Sequence, residues 1–330
     1  MDDFAYTRAG RAETAIRLAA QPRTRFIAGG TDLLYLMKEG VERPEHLIDI
    51  NALPLAGVRR AGGRIELGAL SRMSDVAAHP AVGRRLPVLA QALLASASPQ
   101  VRNMASLGGN LLQRTRCWYF RDASMPCNKR APGSGCPAIE GRNRWHAILG
   151  GSRSCIAVHP SDLAVALTAL DATVHVLGAA GPRAIGIADF YLPPGDTPHR
   201  ETVLRAGELI TRIDVPLTPL AEGSRYVKVR DRASFEFAVV SVAACVRLED
   251  GPRDGAVREA SLAFGGVAPR PWRSSAVERA LTGRPLTPAS IRAAGEALVR
   301  EARPRPDNAF KVPLVQRALS DVLEQLRGPR

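Results

Sequence analysis

A chain of 330 residues exceeds one core-sized unit and points to two or three domains. Hydrophobic residues at 45% and charged residues at 23% exclude a disordered chain, and no apolar run approaches the roughly 20 residues of a membrane span, so no membrane insertion is expected. Lys and Arg number 45 against 32 Asp and Glu, but the arginines are scattered and aromatics are only 5%; no nucleic-acid partner is expected, and an anionic ligand or acidic protein subunits stay open.

The start, with Asp2 and Asp3 and no basic segment leading an apolar one, predicts a cytoplasmic chain by its own sequence. Export to the periplasm alongside a signal-bearing partner stays open. Apolar periodicity predicts a helix over 12–21, a strand at 25–27, a helix over 32–39 and a strand at 47–50, which make a small α/β lobe. A larger α+β lobe runs from 64 to about 220. Its strands are expected at 64–67, 174–176 and 210–215, and its helices over 87–95 and 162–170, the last capped by Ser161. Residues 98–103 read as a helix-breaking stretch. From about 113 to 155 periodicity vanishes into Gly, Pro, Arg and Cys, and an irregular segment of that length needs something to staple it. After a boundary near 221–224, strands at 226–229, 237–248 and 256–264 predict an antiparallel sheet, followed by helices over 288–300 and 314–326.

Three features could carry chemistry. Ala28-Gly29-Gly30-Thr31-Asp32-Leu33 falls where a strand passes into a helix; paired glycines and a helix start suit a pyrophosphate, and a tight turn capped by Thr31 or Asp32 is the plainer alternative. It matches neither G-x-x-x-x-G-K-[ST] nor G-x-G-x-x-G. A second pair, in Ser106-Leu107-Gly108-Gly109-Asn110, suggests a second surface on the same extended ligand, or an unrelated turn. Cys117, Cys127, Cys136 and Cys155 all lie in the irregular segment. Four thiolates closing a loop suit a four-iron four-sulfur cluster; zinc, disulfides and unlinked thiols stay open, although no C-x₂₋₄-C knuckle is present. Cys245, in an apolar strand, reads as a core thiol. Asp162 at a helix start could bind ligand hydroxyls or simply favour the helix dipole. No H-x-x-x-H or G-x-S-x-G supports a hydrolase.

The order Ala28-Gly29-Gly30-Thr31-Asp32-Leu33, Arg102-Asn103-Met104-Ala105-Ser106-Leu107-Gly108-Gly109-Asn110 and Pro160-Ser161-Asp162 resembles the FAD-binding medium subunits of the molybdenum hydroxylases, the xanthine dehydrogenase and aldehyde oxidoreductase family. The cysteine segment, with Cys117-Trp118-Tyr119-Phe120-Arg121 and Met125-Pro126-Cys127-Asn128-Lys129-Arg130, is similar to the branch typified by a periplasmic aldehyde oxidoreductase, whose medium subunit carries an extra four-iron four-sulfur cluster.

The resemblance implies an α+β fold: a vanillyl-alcohol-oxidase (PCMH)-type FAD-binding domain over 1–222, with a small lobe at 1–57, a large lobe at 58–222 and the insertion at about 113–155. A C-terminal α+β domain of antiparallel sheet and helices would fill 223–330. It implies that Ile27, Ala28, Gly29, Gly30, Thr31, Asp32 and Leu33 cradle the FAD pyrophosphate and that Ser106, Gly109 and Asn110 complete the surface. Asp162, with Ser161 beside it, would hold the ribityl hydroxyls. Leu209 or Ile210 and Lys228 would approach the isoalloxazine or adenine end, Tyr191 the flavin face, and Cys117, Cys127, Cys136 and Cys155 would hold a [4Fe-4S] cluster. The implied activity is electron transfer in an oxidoreductase, without a catalytic acid or base on this chain. A small [2Fe-2S] subunit and a large molybdenum-cofactor subunit would be partners, and an external acceptor would take the electrons. Two other expectations stand beside it: a self-sufficient FAD oxidase of the same fold, and a metal-stapled basic binding module without flavin.

Overall fold

The computed structural model describes residues 1–249 and 255–327, so residues 250–254 and 328–330 of the expected C-terminal domain lie outside the described residues. Strands β1 (Ala5–Arg8), β2 (Thr24–Ile27) and β3 (His46–Asp49) form a parallel sheet in the order β1-β3-β2. The helices Ala12–Ala19 and Leu33–Lys38 are its two crossovers. The expected lobe therefore gains a strand at 5–8, whose mostly exposed residues carry no apolar alternation to signal it. Parallel strands open their carboxyl ends to ligands, and here the end of β2 leads straight into Ala28-Gly29-Gly30.

The large lobe holds an antiparallel sheet of β4 (Val58–Ala61), β5 (Arg64–Gly68), β6 (Thr173–Gly178), β7 (Gly181–Gly186) and β8 (Leu209–Pro216), in the order β4-β5-β8-β6-β7. The helices Pro87–Ala95 and Asp162–Ala169 belong to the core beside it, and Ser161 caps the second by accepting from the Ala164 amide. Residues 98–103 do not break a helix: Pro99–Met104 is one, with Ser98 capping it and Pro99 at its first position, where a missing N–H costs nothing.

β9 (Ser224–Val229), β10 (Val240–Leu248) and β11 (Val257–Gly265) form an antiparallel sheet in the order β11-β10-β9. Alternate residues split between two cores. Tyr226, Ala243, Cys245 and Ala263 join the large-lobe core, whereas Val242, Ala244, Leu262 and Phe264 meet the helices Ser275–Leu281, Pro288–Val299 and Lys311–Arg327. Burial on both faces explains why β10 is a continuous apolar run. Burial pushes the Cys245 thiol up to about 12, as suits an inert core thiol. Ile148 and Leu149 of the insertion belong to the C-terminal core, so that segment is anchored in the second unit as well as the first.

Candidate cofactor site

The chain leaves β2 at Ile27 and turns through Ala28–Asp32 into the helix Leu33–Lys38. Gly30 adopts a φ of +68°, and a Cβ on Gly29 would overlap the Met104 carbonyl oxygen, so this turn demands glycine twice. Among the described residues, the N–H groups of Gly29, Gly30, Thr31 and Asp32 donate to no other group of the chain. They line a cavity of about 760 Å³. Four consecutive open amides at a helix entrance suit an anionic oxygen cluster.

The loop is held from behind. Asn51 Nδ2 donates to the Ala28 carbonyl (3.0 Å) and to Asp49 Oδ1 (2.7 Å). Arg72 donates to Asn51 Oδ1 (2.9 Å) and to the Met104 carbonyl (2.6 Å), tying the two glycine segments together. Burial raises the Asp49 pKa, but hydrogen bonds from Tyr6, Asn51 and Arg8 outweigh it and hold the carboxyl at about 2.

The same cavity is lined by Ile27, Ala28, Leu33, Ser106, Gly109, Asn110, Asp162, Leu209, Ile210 and Lys228. The second glycine pair differs from the first. It lies within the helix Leu107–Leu111, where Gly108 donates to the Ala69 carbonyl and Gly109 to Ser106 Oγ, so side chains rather than free amides face the ligand space. Ser161 donates to Asn110 Oδ1 (2.6 Å) and lines a neighbouring cavity of about 210 Å³ instead. Tyr191 is not at this cavity; it stands edge-on to Phe190 and donates to the Leu111 carbonyl (3.0 Å).

Asp162 is buried and receives three donors: Lys228 Nζ (2.7 Å), Tyr226 Oη (2.5 Å) and Ser96 Oγ (3.0 Å). Lys228 also donates to the Ala95 carbonyl (3.0 Å). Tyr226 and Ser96 carry no motif that sequence reasoning could have used. Asp32, for which a helix cap is the plainer alternative to the cradle, makes no capping bond. Its carboxylate accepts from the Arg114 amide (2.8 Å) and Arg121 Nη2 (2.9 Å) and pairs with Arg116 Nη1 (2.8 Å).

Those arginines open the cysteine segment. Cys117, Cys127, Cys136 and Cys155 line one narrow void, and none is in a disulfide. Amides of Tyr119 and Phe120 face the Cys117 sulfur, those of Ala138, Ile139 and Ile156 the Cys136 sulfur, and that of Ala157 the Cys155 sulfur. Burial dominates them and lifts Cys117 to about 12. Lys129 anchors the segment to Glu201 (2.8 Å) and the Pro198 carbonyl (2.9 Å), and Arg130 to the carbonyls of Phe120 (2.6 Å) and Tyr119 (3.1 Å). No described helix is long and apolar enough to cross a membrane.

A two-lobed α+β domain with an amide-lined cavity at the end of a parallel strand, followed by a sheet-and-helix domain, is the build of a protein that binds a phosphate-bearing cofactor. Residues 2–218 match the family model of the FAD binding domain in molybdopterin dehydrogenase, and residues 225–326 that of the CO dehydrogenase flavoprotein C-terminal domain. The chain belongs to this family. It is 49% identical to the aldehyde oxidoreductase FAD-binding subunit PaoB of Escherichia coli K12, over 99% of each chain. It is also 29% identical to the glyceraldehyde dehydrogenase medium chain of Sulfolobus acidocaldarius, over 86% of this chain and 83% of that one. A solved carbon monoxide dehydrogenase structure from Hydrogenophaga pseudoflava superposes with a TM-score of 0.76 at 26% identity, covering 98% and 96% of the two chains.

Proposed function

We propose that this chain is the FAD-carrying electron-transfer subunit of an aldehyde-oxidising molybdenum enzyme. The observation that carries it is the end-to-end 49% identity to an aldehyde oxidoreductase FAD-binding subunit. A small [2Fe-2S] subunit and a large molybdenum-cofactor subunit would be its partners, and the compartment follows theirs. The relatives' names, FAD-binding subunit and medium chain, do not favour a self-sufficient oxidase.

The residues fit FAD. The open amides of Gly29 to Asp32 would hold the pyrophosphate, and a cavity of about 760 Å³ is within the range of sites that enclose a whole ligand. Ser106 and Asn110 would offer side-chain groups along the chain of the cofactor, with Ser161 fixing the Asn110 amide. Asp162 would reach the ribityl end, oriented by the hydrogen bond from Lys228, and Leu209 and Ile210 would supply apolar wall. When bound, FAD supplies an acceptor that takes electrons singly and releases them singly or in pairs to an external oxidant. No side chain is required to move a substrate proton here.

Cys117, Cys127, Cys136 and Cys155 would bind a [4Fe-4S] cluster. Support comes from four unpaired thiols around one void with amides facing three of the sulfurs, since hydrogen bonds to sulfur are one lever on a cluster's potential. The division into a FAD domain over 1–222, with lobes 1–57 and 58–222, and a C-terminal domain over 223–330 completes the reading. FAD and iron measured on one purified sample test it: FAD with about four irons per chain is expected. The isolated chain should turn over no aldehyde without its partners. FAD without iron would sink the cluster, and neither cofactor would sink the whole reading.

A further inference from the structure

We propose that Asp32 is a positioning residue through which the cysteine segment holds the glycine loop, so that metal uptake by the thiols and FAD binding by the loop strengthen each other. This rests on the two cofactors proposed above. The carboxylate ends the glycine loop, yet all its hydrogen bonds go to the cysteine segment: the Arg114 amide at 2.8 Å, Arg116 Nη1 at 2.8 Å and Arg121 Nη2 at 2.9 Å. Arg116 directly precedes Cys117, and Arg121 ends the single helical turn Trp118–Arg121 that directly follows it. Arg121 also donates through Nε to the Thr115 carbonyl (3.0 Å), so its guanidinium spans both sides of that thiol.

A second, apolar contact joins the same two segments. Leu36, one turn into the helix that the glycine loop enters, packs with Phe120 and Cys127 in a small buried cluster. The loop's helix is therefore pinned to the cysteine segment at Asp32 by charge and at Leu36 by packing. With the thiols unliganded, nothing but protein contacts orders the irregular segment, and each state in which it loosens releases Asp32 and the amides beside it. Metal on the thiols removes those states. By linkage, whatever metal contributes to FAD binding, FAD contributes to metal retention.

The test titrates FAD into the purified full chain, iron-reconstituted and iron-stripped, as wild type and as Asp32→Asn. Stripping should weaken FAD binding about tenfold in the wild type, within the usual range of coupling between sites, and less than about twofold in Asp32→Asn. Loss of iron to a chelator should be slowed by FAD in the wild type and not in the variant. Arg121→Gln, which keeps every residue of the glycine loop and removes one donor to Asp32, should uncouple the sites likewise and serves if Asp32→Asn does not fold. Equal FAD affinity in both iron states of the wild type overturns the coupling and leaves both cofactor assignments standing. Asp32→Asn that weakens FAD binding but preserves the full iron effect overturns the role of Asp32. A wild type that takes up no iron removes the cluster reading and the coupling with it; one that takes up no FAD removes the proposed function.

Discussion

The glycine loop and the cysteine segment are neighbours held by opposite means. The loop faces a cavity of about 760 Å³, and a parallel strand, a helix and the Asn51-Arg72 brace fix its backbone. The cysteine segment closes on a void of about 10 Å³, the room of one water, where burial pushes the Cys117, Cys136 and Cys155 thiols up. One site is built by the fold. The other has ligating atoms brought together by surrounding contacts, and a metal must displace their protons and open them.

The largest effect should come from breaking the preformed site. In Gly29→Val the new Cβ meets backbone, the Met104 carbonyl, which cannot swing aside like a flexible side chain. The two glycine segments must separate. FAD per purified chain should fall to less than about a tenth of wild type, while iron content is reduced far less; full FAD content would mean that the contact yields cheaply.

Breaking the other site should do the reverse. Cys127→Ser removes one of four thiolates, so iron per chain should drop to near zero and proteolysis within residues 117–155 should accelerate. FAD should remain bound, weakened by no more than the coupling through Asp32. If iron stays at the wild-type level, Cys127 is not a ligand.

Much of this difference was legible in sequence, for a physical reason. A glycine pair between a strand and a helix announces itself by what only glycine can do, and loss of periodicity over forty residues announces an irregular segment. The direction of Asp32 was not legible, because a carboxylate at a helix start reads as a cap whatever lies across from it in space. Helix Pro99–Met104 was misread from Pro99 and Ser98, which can mark either a break or a start. Tyr226 and Ser96 meet Asp162 from 64 and 66 residues away in the chain, and no local pattern encodes that.

A smaller effect probes the shared wall of the cavity. Lys228→Met leaves Asp162 buried with only Tyr226 and Ser96 as donors, and removing one partner of a buried pair costs about 3–5 kcal/mol. Denaturant unfolding should show that loss, and the paired change Lys228→Met with Asp162→Asn should recover part of it. No recovery would mean that Lys228 acts through the Ala95 carbonyl instead.

The smallest effect isolates the brace behind the glycine loop. Asp49 is ionised and fixes Asn51, which in turn holds the Ala28 carbonyl and Arg72. Its folded pKa of about 2 lies below its ordinary 3.8, so the stability it contributes is present above pH 4 and is lost as pH falls toward 2. Asp49→Asn should lower stability at pH 7 by about 1.5–3 kcal/mol, the usual value of hydrogen bonds to a charged group. The gap between wild type and variant should then shrink between pH 4 and pH 2 in thermal melts. A gap that stays constant across that window would place the cost in packing rather than in the carboxylate's charge. FAD affinity at pH 7 should fall only modestly, since the amides of Gly29 to Asp32 keep their backbone path from β2 even when the brace is weakened.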